Sequence, residues 1–130
     1  MVFYMNDLPK ISEAEWQVMK VLWKKSPLTA NEIVEQLVNE IHWNPRTIKT
    51  LLNRLMKKNA LGIRQEGRVY HYYPLVSKDD CSRYERESLL KRVYDGALQP
   101  LLAAFLEEQN LSKREIDELK QILENKGKSK

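Results

Sequence analysis

A chain of 130 residues with 42% apolar and 31% charged side chains suits a folded, helix-rich protein and excludes intrinsic disorder. It contains no run of about 18 apolar residues, so no segment is expected to span a bilayer, and the lone Cys81 excludes an internal disulfide and a thiol-rich metal site. The net charge of +4 is modest but segregated.

Residues 44–75 hold Arg46, Lys49, Arg54, Lys57, Lys58, Arg64 and Arg68 against only Glu66, whereas residues 76–130 balance. Confining positive charge to one short stretch is the pattern of a surface that faces phosphates. The start, Met1 to Met5, is apolar but lacks the basic segment and cleavage site of a signal peptide, so a cytoplasmic location is expected.

Ser12-Glu13-Ala14-Glu15 is a capping box, in which the Ser hydroxyl and the Glu carboxylate each take an amide that the helix leaves unpaired. The helix it opens buries Ala14, Val18, Val21 and Leu22 and stops at Ser26-Pro27. Thr29-Ala30-Asn31-Glu32 is a second box, with Ala30, Ile33, Val34 and Leu37 on one face. Two capped helices joined by a short turn make the first half of a helix-turn-helix. Asn44-Pro45 opens a third helix, which ends at or just after Asn59 and turns Ile48, Leu51, Leu52 and Leu55 toward a core. Leu61–Gln65 and Arg68–Pro74 read as strands around Glu66-Gly67, with Tyr70, Tyr72 and Tyr73 packing. Three helices and a hairpin follow the winged-helix order.

Beyond Pro74 the character changes. Ser77 caps a helix from Lys78, with Asp79 and Asp80 complementing its dipole. Apolar residues recur from Leu90 to Leu106, but Pro100 would clash with the carbonyl of Gly96, so a break is expected near Asp95-Gly96. Ser112-Lys113-Arg114-Glu115 is a third capping box, with Leu111 and Ile116 as its hydrophobic staple, and Lys126–Lys130 reads as a disordered tail. Leu90, Tyr94, Leu98, Leu101, Leu102, Phe105, Leu106, Ile116, Leu119 and Leu123, together with Ile122, offer more apolar surface than one layer hides. A homodimer covers it. The fold class is mainly α with a small β-hairpin wing: a winged-helix DNA-binding region over 1–76 and a helical dimerisation region over 77–130.

The third helix carries the chemistry. Opposite its core face lie Arg46, Thr50, Asn53 and Lys57, flanked by Thr47, Lys49 and Arg54, and residues 44–59 contain no acid. The major groove of duplex DNA admits one such helix, N-terminus first. Arg46, Thr47 and Thr50 are therefore candidates for base edges. Lys49, Asn53, Arg54, Lys57 and Lys58 are candidates for phosphates or further bases, and Arg68 at the hairpin tip, with Arg64, for the backbone or minor groove. Trp16, Trp23 and Trp43 read as packing residues. His42 and His71 lack metal-ligand spacing, and no metal or cofactor is expected. Cys81 near a helix start invites a redox role, which Asp79 and Asp80 oppose.

The chain resembles the penicillinase and methicillin-resistance repressor family. The resemblance rests on Ile11-Ser12-Glu13-Ala14-Glu15-Trp16-Gln17-Val18-Met19, Val21-Leu22-Trp23 and Trp43-Asn44-Pro45-Arg46-Thr47-Ile48. It continues through Thr50-Leu51-Leu52-Asn53-Arg54-Leu55, Gly67-Arg68-Val69-Tyr70, Val93-Tyr94-Asp95-Gly96, Ala104-Phe105-Leu106-Glu107 and Leu111-Ser112. It implies a homodimeric repressor of β-lactam-resistance-type genes on a palindromic operator. It also implies release when a membrane sensor-protease pathway leads to cleavage in the dimerisation region. The matching bond is Ala104-Phe105, where familiar members have Asn-Phe; copper-responsive relatives carry a cysteine-rich motif that this chain lacks. A ligand-sensing winged-helix regulator with a different regulon stays open as the alternative. So do a winged helix used only for protein contacts and an enzyme acting through Cys81.

Overall fold

The structure, a computed structural model, describes residues 8–128; the apolar start Met1 to Met5 and the last two residues of the charged tail lie outside them. In chain order the elements are α1 (Glu13–Lys24), β1 (Leu28–Thr29), α2 (Ala30–Ile41), α3 (Pro45–Lys57), β2 (Leu61–Glu66) and β3 (Val69–Pro74). Then come α4 (Lys78–Tyr94), α5 (Leu98–Glu108) and α6 (Lys113–Lys128). The chain divides into two compact units between Glu85 and Arg86, within α4.

The local signals for helix ends are realised. Each of the three boxes closes reciprocally: Ser12 with Glu15 at 2.8 and 3.2 Å, Thr29 with Glu32 at 2.9 and 3.2 Å, and Ser112 with Glu115 at 3.1 Å both ways. Helix α2 stops at His42 and the turn after α3 passes through Asn59, both at φ 62°. His and Asn are among the few non-glycine residues that enter this left-handed region with any frequency.

In the first unit α1, α2 and α3 pack on one another and on a three-stranded antiparallel sheet of order β1-β3-β2. Strand β1 is missing from the sequence expectation. It is two residues long and exists because Leu28 pairs with Tyr72 and Thr29 with His71. The core is built by Val18, Met19 and Leu22 of α1, Ile33 and Leu37 of α2, and Ile48, Leu52 and Leu55 of α3, all essentially inaccessible. Truncating any one of the Leu, Ile or Met side chains among them to Ala costs about 2–5 kcal/mol. Ala14, expected inside, is only half-buried; the positions taken instead are Met19 and Glu15.

The aromatic residues divide. Trp16 and Trp23 meet edge to face, with ring centroids 5.3 Å apart, and both pack against the core, as does Trp43. Tyr72 is buried and the Tyr73 ring lies over Gly62, its cross-strand partner, where a Cβ would come within 2.6 Å of it. Tyr70 departs from the packing expected of it. It is half exposed because it lies toward the hairpin tip, opposite exposed Gln65.

Cys81, in the second turn of α4, is buried in the same core, and Tyr84 packs against it. The first compact unit accordingly runs to Glu85, past the change of character after Pro74. Burial pushes the Cys81 thiol up to about 11, with Asp80 and Glu85 adding to the shift. A thiol held protonated in this way is a poor nucleophile.

In the second unit the chain breaks where Pro100 requires it. Helix α4 ends at Tyr94, Asp95 and Gly96 take φ of 53° and 84°, and α5 begins at Leu98. Pro100 thus falls in the first turn of α5, where an amide has no helical partner to lose. Lys126–Lys128, read from sequence as tail, continue α6 instead. Gly127, in the last turn of α6, carries a helix cost of about 1 kcal/mol relative to Ala.

Candidate nucleic-acid interface

Helix α3 starts at a fixed point. The Asn44 side chain accepts the Arg46 amide at 2.8 Å, and Pro45 occupies the first helical position with its φ preset. Ile48, Leu51, Leu52 and Leu55 are buried beneath the helix, and this fixes its rotation. Arg46, Thr47, Lys49, Thr50, Asn53, Arg54 and Lys57 are consequently all exposed. No acidic residue lies in its first turn, while Arg54 and Lys57 lie in its last. Basic groups at the C-terminal end suit the dipole, but Arg46 at the N-terminal end opposes it. Thr50 donates its hydroxyl to the Arg46 carbonyl at 3.0 Å, which uses its O–H and leaves the oxygen's two lone pairs and the methyl group for other contacts.

Lys58 behaves differently from the rest of the basic set. Expected among the phosphate contacts, it instead turns back, donating to the Lys10 carbonyl at 2.9 Å and forming an ion pair with buried Glu15. Burial pushes the Glu15 carboxyl up, but hydrogen bonds from Lys58 and Ser12 outweigh it and hold the group below the ordinary carboxylate value. The sequence reading assigned Glu15 to its cap alone, because its partner lies 43 residues away.

The wing is the β2–β3 hairpin. Glu66 pairs with Val69, so the loop is the two residues Gly67 and Arg68, with Gly67 at φ 65° and Arg68 in the normal region. A positive φ at the first loop position alone is the type II′ requirement, which glycine meets without strain. Gln65 donates to the Gly67 carbonyl at 3.0 Å and steadies the turn. Arg68 is therefore a loop residue, not the first residue of a strand, and it is exposed at the tip. Glu66 pairs with Arg64 at 3.3 Å, so part of the Arg64 charge is already answered within the protein. Val69 and Tyr70, each about half exposed, adjoin Arg68; their apolar exposure beside a basic tip had no signal in the sequence.

Among the described residues no group of three or more His, Cys, Asp or Glu is placed to hold a metal ion. No helix among them is long and apolar enough to cross a membrane.

The sequence matches the family described as penicillinase repressor over residues 11–125. The chain belongs to the penicillinase repressor family. It is 45% identical over 120 residues to the penicillinase repressor of Bacillus licheniformis, covering 92% of this chain and 94% of that one. It is 36% identical over 121 residues to the methicillin resistance regulatory protein MecI of Staphylococcus aureus, covering 93% and 98%. Among solved structures, the DNA-binding domain of the repressor BlaI superposes with a TM-score of 0.52 at 46% identity, over 56% of this chain and 89% of that one. The monomeric form of Bacillus licheniformis BlaI in complex with the blaP half-operator gives 0.51 at the same identity and coverage. Like those repressor domains, the first unit of this family member is a winged helix with a small antiparallel sheet.

Proposed function

We propose that this chain is a transcriptional repressor that reads an operator with α3 and grips its backbone with the wing. The observation that carries the reading is the outer face of α3: seven exposed polar or basic side chains, no acid, on a helix whose rotation is fixed by four buried aliphatics. Arg46, Thr47 and Thr50 meet base edges; Lys49, Asn53, Arg54, Lys57 and Arg68 meet phosphates or neighbouring bases. The relative solved on its half-operator supports this assignment, as does membership of a family of repressors named for resistance genes.

The helices after Ser77 pair two copies. Leu98, Leu102, Phe105, Leu106, Ile116, Leu119 and Leu123 leave large parts of their side chains exposed in the single chain, and Leu90, Tyr94 and Leu101 are half-buried beside them. Pairing covers that surface and presents two winged helices to a palindrome, an avidity worth about 10²–10⁴ in affinity. Cleavage at Ala104-Phe105, within α5, would separate Ile116, Leu119 and Leu123 from the rest of the pair while leaving α3 untouched. Repression then ends through weaker pairing. The protein acts by binding in the cytoplasm, not by catalysis.

The test is selection of duplex DNA from a random pool by the full chain, followed by footprinting of the selected sequence. A palindromic footprint whose half-sites depend on Arg46 and Thr50 is the expected result. Binding without sequence preference would overturn it.

A further inference from the structure

The ion pair between Glu15 and Lys58 does not account for itself as a stabilising contact. Glu15 is only 1% exposed, and one of its oxygens, Oε2, is buried without a hydrogen-bond partner. Taking a carboxylate out of water costs several kcal/mol, its partner Lys58 stays about a third exposed, and replacing such an ion pair by apolar residues is often neutral or stabilising. A half-satisfied buried charge is therefore an expensive way to join two helices.

What the pair does do is geometric. Glu15 Oε1 accepts the Ser12 amide and binds the Lys58 ammonium, which also holds the Lys10 carbonyl. Lys58 is the C-terminal cap residue of α3. One carboxylate thus ties the end of α3 to the start of α1 and to the strand of chain leading into it. The aliphatic packing beneath α3 is non-directional, whereas the Lys58 ammonium is held by two named oxygens, Glu15 Oε1 and the Lys10 carbonyl, which favours one placement of the helix end. A helix of 13 residues is about 20 Å long, so a tilt of about 10° about its C-terminal end moves its N-terminal end by about 3 Å. That exceeds the tolerance of a hydrogen bond to a base edge.

We infer that Glu15 and Lys58 are positioning residues for operator recognition, setting the angle at which α3 presents Arg46, Thr47 and Thr50 while contributing no contact to DNA themselves. The inference rests on the reading of α3 as the DNA-reading helix. It turns Lys58, basic and adjacent to the phosphate-facing set but still about a third exposed, toward Glu15 and the Lys10 carbonyl.

The test is the full-length double variant Glu15→Gln/Lys58→Met, which removes both charges together and keeps an acceptor for the Ser12 amide. Three quantities are measured against the wild type: the urea unfolding midpoint, affinity for the DNA selected by the wild type and for a scrambled duplex, and the salt dependence of each. The expected result is a midpoint at or above that of the wild type. Affinity for selected DNA falls about tenfold or more, as for one disrupted base contact, with scrambled DNA within about twofold and the salt slope unchanged. Retained affinity for selected DNA in a stable variant overturns the inference. So does an equal loss on both duplexes with a salt slope smaller by about one, which makes Lys58 a direct phosphate contact. Where the double variant is unfolded, Glu15→Gln/Lys58→Gln is read in the same way. If the wild type selects no sequence, the DNA-reading role of α3 fails first and the inference with it; if the wild type selects and the variant matches it, only the inference fails.

Discussion

Trp23 donates its indole N–H to the carbonyl of Val76 at 2.9 Å, joining the last turn of α1 to the segment that leads into α4. The ring also meets Trp16 edge to face, so one side chain closes the N-terminal core against the point where the chain leaves the sheet. Trp23→Phe keeps most of the ring and deletes the donor, leaving the Val76 carbonyl without its partner. A loss of about 1–3 kcal/mol in unfolding free energy is expected, measured by urea titration, with DNA affinity of the folded fraction unchanged.

Arg46→Ala is expected to weaken specific binding by about 1–3 kcal/mol, relaxing preference at one base pair and not at others. Thr50 allows a finer distinction. Its hydroxyl is already donated to the Arg46 carbonyl, so a contact with a thymine methyl is made by the Thr methyl group. Thr50→Val then retains operator affinity and Thr50→Ala does not. Quantitative footprints of both variants check this, and loss in Val equal to that in Ala would assign the contact to the oxygen.

Lys57→Gln is expected to weaken selected and scrambled DNA alike and to lower the salt slope by about 0.9, the signature of one phosphate neutralised. Titrations from low to physiological salt on both duplexes give the slope directly.

Acid weakens the fold through Glu15. Its folded value lies below that of the unfolded chain, about 4.3, so its contribution is fully present above that value. That contribution disappears as pH falls through the lower, folded value. The stability gap between wild type and Glu15→Gln should therefore be widest near neutrality and narrow steadily below about pH 4. Unfolding curves at several pH values measure it, and a gap that stays constant would remove the ionised carboxylate from the account. Glu32 and Glu115 are also held low, by the amides and hydroxyls of Thr29 and Ser112, and contribute in the same direction.

Truncation after Ala104 is expected to give a largely monomeric chain with weak operator binding. Sedimentation of the truncated and full chains compares their pairing, and a stable dimer of the truncated chain would place the interface elsewhere.

The difference between what the sequence disclosed and what it concealed follows contact range. Ser12, Thr29 and Ser112 announce their helices because the partner is three residues away, and Pro100 announces a break because its ring meets its own helix. The inward face of α3 is legible because Ile48, Leu51, Leu52 and Leu55 repeat at the helical period, and its outward face follows by subtraction. Strand β1 was hidden because nothing in Leu28-Thr29 specifies a strand until Tyr72 and His71 arrive beside it. The pairing of Glu15 with Lys58 is hidden for the same reason: Glu15 has its local role in the cap, and only folding brings an acid from α1 to a base at the end of α3. Tyr70 and Tyr72 share a composition and a strand but not a depth, since one lies over the core and the other beyond its edge.

The tight return at Gly67-Arg68 has a consequence for how the wing can vary. With Glu66 paired to Val69 the loop has no slack, so the distance of Arg68 from the sheet is counted in strand residues, at about 3.4 Å each. Lengthening the arm by a single residue on each strand would advance the tip by one such step and also turn every side chain beyond the insertion to the opposite face. Reach and facing cannot be adjusted separately. The hairpin is a ruler with two-residue graduations, and only changes in steps of two keep the same side chains pointing the same way.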